Sequence, residues 1–331
     1  MSASVNRRTF TLGSLAAAIG GSAVLALPTV RLAAAQDATA DPAEDLTNLG
    51  LPTLDITVNA ENFDGAPTSD LAAGRYFLSV RIADEVEVGG AAFMSPPTGM
   101  SAEDFMTQVG IGGGGGTPPD AGAPASPPAG EEGEEGGEML PLFVYQAHFA
   151  GGAMGPGGMT SLSVIDLPPG EWILWGDDPT APQQPVTFNV TGDMPADLPE
   201  PAADVTITLI DFAIEMPESL SAGMHLVKMQ NHGAQPHFIV VEKGPDSMTN
   251  DQIAEILEAD MSMPATPADL PFDPNTDLMP VAQTATQSIG TEQWVPMLFE
   301  AGTYAAMCFF PTAGEGAPHA MHGMHTVFTV Q

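Results

Sequence analysis

Short runs of alternating apolar and polar residues, punctuated by Gly and Pro, dominate this chain. The stretch LDITVNAENFDGAPTSDLAAGRYFLSVRI reads as an alternating strand, a polar turn ending in Ala-Gly, and a second strand. VTITLIDFAIEMPESLSAGMHLVKMQN repeats that order. Each is followed by a helical pattern, SAEDFMTQV in the first region and TNDQIAEILEAD in the second, with Ser101 and Thr249 as N-caps. Each region also closes alike, LPPGEWILWGDDP beside FEAGTYAAMCFFP and then VTFNV beside TVFTV. Identity between the regions is weak, but the order of elements holds throughout, as in divergent copies of one unit. Short strands at this density, separated by Gly/Pro turns, predict an all-β protein of two β-sandwiches in tandem, each with a short helical insertion.

The expected boundaries follow. Residues 1–35 form a leader, 36–53 a disordered spacer, 54–192 the first domain, 193–204 a Pro- and Asp-rich linker, and 205–331 the second domain. Within the first domain, the stretch at about 110–138 carries Gly112 to Gly116, several Pro and a Glu cluster from Glu131 to Glu138. Such a segment buries too little apolar surface to offset its ordering entropy and reads as a flexible acidic loop. In the leader, Asn6-Arg7-Arg8-Thr9-Phe10 precedes an apolar run from Leu12 to Leu27 and a small-residue site at Ala33, Ala34 and Ala35. This resembles a twin-arginine export signal, cleaved or kept as an anchor. The resemblance implies a periplasmic, cell-surface or extracellular protein. The apolar run is shorter than the ~20 residues a spanning helix needs, and no transmembrane helix is expected in the mature chain.

Charge narrows the partners. The 331 residues include 42 acidic side chains against 7 Lys plus Arg, three of which (Arg7, Arg8, Arg31) fall in the leader. Such a surface repels nucleic acid and anionic lipid and suits a basic partner. The single cysteine, Cys308, excludes an intramolecular disulfide. An unpaired thiol outside the cell needs burial or a ligand.

Three segments carry candidate chemistry. KMQNHGAQPHFIVVEKG puts His237 after a Pro at the start of an apolar strand, with Asn231 six residues earlier. GTYAAMCFFP puts Cys308 at the end of a strand, and APHAMHGMHTVFTV puts His319 five residues before Met324. Singly, each has an ordinary reading: a small buried thiol, a strand-end histidine, a core methionine. Together, a thiolate, two imidazoles and a weak axial thioether make a copper electron-transfer site. Zinc fits the same set less well, because a thioether contributes little to it.

These segments resemble the cupredoxins, the plastocyanin and azurin family. The resemblance implies Greek-key sandwiches and one copper ion held by His237, Cys308, His319 and Met324. One departure stands out: ten residues separate Cys308 from His319, against two to four in the family pattern. His322 and His325 follow His319 at intervals of three and are alternate ligands, or members of a second site on a helical turn. His225 and His232 read as surface residues, with a place near the metal as the alternative for His232. The first copy lacks ligands, since its alignment sets Gly176 opposite Cys308 and Gly89 near His237. It is expected to be structural or partner-binding.

The leading functional expectation is an exported copper-binding electron carrier whose partner is a redox protein or a copper donor or acceptor. Export-side copper buffering or delivery and a metal-free scaffold are the alternatives. Enzymatic activity is not expected, because the His-x-His pairs and His-flanked Cys of copper oxidases are missing.

Overall fold

The computed structural model describes residues 46–111, 139–178, 181–262 and 270–331. The leader, most of the spacer and nearly all of the Gly/Pro/Glu-rich stretch lie outside these residues. The first region contains β1 (Thr53–Val58), β2 (Phe63–Asp64), β3 (Leu71–Ala72), β4 (Gly74–Ile82) and β5 (Val88–Ser95). Helix α1 (Ala102–Val109) precedes β6 (His148–Pro156), β7 (Thr160–Leu167), β8 (Gly170–Trp175) and β9 (Val186–Thr191). The second region contains β10 (Val205–Ile210), β11 (Ala213–Glu215), β12 (Ser219–Leu220), β13 (Gly223–Asn231) and β14 (Val240–Gly244). Helix α2 (Asn250–Ser262) precedes β15 (Met279–Gln283), β16 (Glu292–Phe299), β17 (Gly302–Met307) and β18 (His325–Val330).

The two sets of strands pair identically. One sheet of the first region runs β2-β1-β4-β7 and the other β3-β9-β8-β5-β6; the second region repeats these as β11-β10-β13-β16 and β12-β18-β17-β14-β15. Even the parallel pairs recur, β1 with β4 and β10 with β13. Alternation explains the facing: Leu54, Ile56 and Val58 of β1 are buried, as are Val205, Ile207 and Leu209 of β10. Each such side chain contributes roughly 1.5–3 kcal/mol on burial. Ser101 accepts the Asp104 N–H at 3.1 Å to open α1. Thr249 and Gln252 bond each other's backbone N–H at the start of α2, a capping box.

The equivalent strands β7 and β16 pair antiparallel, Ile165 with Gln293 and Val164 with Trp294, so one eight-stranded sheet runs through both regions. A small core crosses this joint, formed by Leu46, Phe77, Val164, Leu226 and Trp294. Leu46 belongs to the stretch expected to be a spacer, yet it is buried there because the joined sheet face needs an apolar cover. The stretch expected to be a linker is also anchored. Arg75 donates to the Pro199 carbonyl at 3.1 Å and Lys228 to Glu200 at 2.6 Å.

Candidate metal centre

His237 stands just before β14, where its backbone N–H and C=O pair with Gln287 at 2.9 and 2.8 Å. The side chain of Asn231 shapes the approach. Its amide donates to the Gln235 and Gln287 carbonyls, and its oxygen accepts the Gly233 N–H at 2.8 Å. Cys308 follows β17 directly. His319 opens a short 3-10 turn, His319–His322, that leads into β18.

The ten residues between Cys308 and His319 do not separate them. Pro311 pairs with Pro318, Thr312 N–H bonds the Ala317 carbonyl at 2.7 Å, and His319 N–H bonds the Phe310 carbonyl at 2.9 Å. The insertion is therefore a hairpin pinched off at its base, and the Ala320 N–H reaches the Cys308 carbonyl at 2.7 Å.

His237 Nδ1 and His319 Nδ1 face each other at 2.9 Å, and Cys308 Sγ lies 3.7 and 3.6 Å from them. All three residues are fully buried, and among the described residues they form the one such cluster able to hold a metal. The outer nitrogens settle the tautomers. His237 Nε2 donates to Asp211 Oδ1 at 3.0 Å, and His319 Nε2 donates to Gln235 Oε1 at 3.3 Å. The Gln235 oxygen also accepts the Ala313 N–H at 2.8 Å, which fixes its orientation. Both Nδ1 atoms are then bare acceptors. Only the Cys308 S–H is left to donate, and it serves one of them at a time.

A cation at the centre satisfies all three. A point equidistant from the three atoms lies about 2 Å from each, the bonding range of nitrogen and sulfur to a late first-row metal. Two imidazoles and a soft sulfur in this arrangement fit copper.

Electrostatics agree with ligation. Burial pushes the Cys308 thiol up to about 12, against the pull of the Phe238 and Phe310 backbone N–H groups that point at it. Burial lowers His237 despite Asp211, and burial with the neighbouring His237 takes His319 to about 3. Both imidazoles are thus neutral, the form that binds metal.

Met324 is fully buried in the same core cluster as Cys308, Phe238 and Phe310. Its backbone bridges the two loop residues, N–H to the His319 carbonyl and C=O from the Cys308 N–H, both at 3.1 Å. The alternate ligands are not in the cluster. His322 pairs with Glu315 at 3.3 Å near the surface, and His325 enters β18 opposite Met307. His225 is a correction of another kind: it is buried rather than superficial, held by Asp204 and the Ser221 carbonyl. His232 is exposed.

The first copy shows why it has no such cluster. Ala92 pairs with Trp175 as Val240 pairs with Met307, so Gly89 and Gly176 stand where His237 and Cys308 do. A Cβ on Gly89 would already touch Val58, Ile82 and Val86. That copy instead covers the second. The Tyr145 hydroxyl donates to the Pro311 carbonyl at 2.9 Å, and Phe149 and Tyr145 meet Phe310 edge-on.

Sequence reading missed Asp211, Phe212, Gln235 and Tyr145. Asp211 and Phe212 form the turn between β10 and β11, and Phe212 lies edge-on to His319 with a φ of 65°. A polar residue ending the first strand of the copy was the available signal, but it says nothing about a contact 26 residues away.

The chain matches no protein family model and no curated protein. Among solved structures it is similar to a reduced auracyanin from Roseiflexus castenholzii, at 25% identity over 38% of this chain and 94% of that one, with a TM-score of 0.25. It is also similar to the copper nitrite reductase of Nitrosomonas europaea, at 8% identity over 84% of this chain and 93% of that one, with a TM-score of 0.21. A blue copper oxidase of the same organism matches at 10% identity over 85% of each chain, with a TM-score of 0.20. Against the expectation of a non-enzymatic protein, the nitrite reductase and the oxidase, both enzymes by name, each match most of the chain. That expectation rested on missing His-x-His pairs, and a missing motif does not exclude an activity.

Proposed function

We propose that this protein is an exported copper protein that passes single electrons through a site formed by His237, His319, Cys308 and Met324. The observation that carries this reading is the pair of bare Nδ1 atoms at 2.9 Å beside a buried thiol. Copper held there would supply a one-electron Cu(I)/Cu(II) couple. The chain's residues do the rest. The Phe238 and Phe310 N–H groups stabilise a thiolate on Cys308. Phe238 and Phe310, both buried, keep the site dry. The hydrogen bonds to Asp211 and Gln235 hold both rings, so a change of charge at the centre moves little.

The strong negative charge supports a basic partner, a redox protein or a copper donor or acceptor. The twin-arginine-like leader supports export, and among the described residues no helix is long and apolar enough to cross a membrane. The test is spectroscopic and electrochemical. Protein loaded with Cu(II) is expected to show an intense thiolate-to-copper absorption and a reversible one-electron wave, both lost in Cys308→Ser. Copper binding without a reversible wave would remove the electron-transfer reading.

A further inference from the structure

The residue that holds His237 from outside is Asp211, a half-buried carboxylate. Asp211 Oδ1 accepts His237 Nε2–H at 3.0 Å and the Gln235 N–H at 3.1 Å, while Oδ2 accepts the Ala234 N–H at 3.1 Å. Three donors converge on it, as an ionised acceptor-only group requires. Gly233 packs so closely that a Cβ there would lie 2.5 Å from Asp211 Oδ1 and 2.6 Å from His237 Nε2. The same two-residue turn places Phe212 edge-on to His319, at 5.5 Å between ring centres. One turn between β10 and β11 therefore touches both histidines.

We propose that Asp211 is a positioning residue that selects Nδ1 of His237 as the donor facing the metal and, by its negative charge, favours Cu(II) over Cu(I). The preference for Cu(II) rests on the copper reading; the choice of tautomer does not. An acceptor at Nε2 forces the proton onto that nitrogen and leaves the Nδ1 lone pair aimed at Cys308 Sγ and His319. Without it, the ring is free to carry its proton on Nδ1, where it opposes a cation. A carboxylate partner also makes the imidazole a stronger donor than a carbonyl partner would, and a stronger, more anionic donor set stabilises the higher charge. The residue acts through His237 and does not touch the metal.

The test uses the full chain, metal-free and copper-loaded, with nitrogen NMR of the histidine rings. In the metal-free wild type, His237 is expected as the Nε2–H tautomer. Asp211→Ala is expected to mix in the Nδ1–H tautomer and to weaken copper binding about 10- to 100-fold. Asp211→Asn keeps an acceptor, so it is expected to retain the tautomer while raising the reduction potential. A wild-type tautomer and potential in Asp211→Ala, with an unchanged thermal melt, would overturn the proposal. If Asp211→Ala fails to fold, an unchanged potential in Asp211→Asn overturns the charge effect. A wild-type protein that takes up no copper overturns the copper reading, whereas the metal-free tautomers still decide whether Asp211 positions the ring.

Discussion

The Tyr145 hydroxyl bonds the Pro311 carbonyl at 2.9 Å, linking the ligand-free first region to the hairpin between Cys308 and His319. The contact gives the first region a role at the centre, because Pro311 begins the hairpin whose base brings the two ligand residues together.

Tyr145→Phe keeps the ring against Phe310 and removes only this bond. It is expected to cost about 0.5–1.5 kcal/mol and to speed hydrogen exchange at the Thr312 and His319 amides, which close the hairpin. Unchanged exchange at both amides would show that the hairpin stands without the clamp.

Gly233→Ala introduces a Cβ against Asp211 Oδ1, His237 Nε2 and the Asp211 backbone nitrogen, which leave it no space. A loss of about 1–3 kcal/mol in stability is expected, together with weaker copper binding. Gly74→Ala serves as the comparison, since a Cβ there meets nothing within 4 Å. Equal effects at the two positions in thermal melts and copper titrations would contradict the packing argument.

Asp177 supplies a pH-dependent term at the joint between the regions. Its carboxylate accepts the Thr286 N–H at 3.0 Å and the Thr286 hydroxyl at 3.3 Å, and burial pushes its pKa up to about 7. The folded protein therefore holds this proton more tightly than the unfolded chain does. The stabilisation is complete below the unfolded value near 4 and is lost as pH rises through about 7. The slope in that window is at most about 1.4 kcal/mol per pH unit. Asp177→Asn is expected to flatten the stability curve there relative to wild type. Parallel denaturant-unfolding curves for the two proteins across that window would rule the term out.

His322 and His325 lie outside the cluster, so their alanine variants are expected to keep the copper absorption band. His319→Ala is expected to lose it. Loss of the band in His322→Ala alone would exchange the ligand assignment.

Much of this was legible in the sequence. The alternation in LDITV and VTITLI marks β1 and β10, and the repeated order of elements corresponds to nine strands paired alike in each region. The positions of Gly89 and Gly176 followed from that repeat. Other features depend on contacts between distant segments. The spacing from Cys308 to His319 looked too long, because pairing of Pro311 with Pro318 cannot be read from composition. Asp211, in the turn after β10, reaches His237 just before β14 of the other sheet, and His225 is buried by Asp204 from the expected linker. The pairing of β7 with β16 joins two edges that each region presents alike, which no local pattern announces.

X-ray absorption at the copper edge of protein loaded with one equivalent of copper reads directly whether His237, His319 and Cys308 hold the ion. Two nitrogen scatterers and one short sulfur scatterer are expected at roughly 2 Å, with the sulfur lost in Cys308→Ser and one nitrogen lost in His237→Ala. A copper shell of nitrogen and oxygen alone, unchanged by either substitution, would contradict this ligand set.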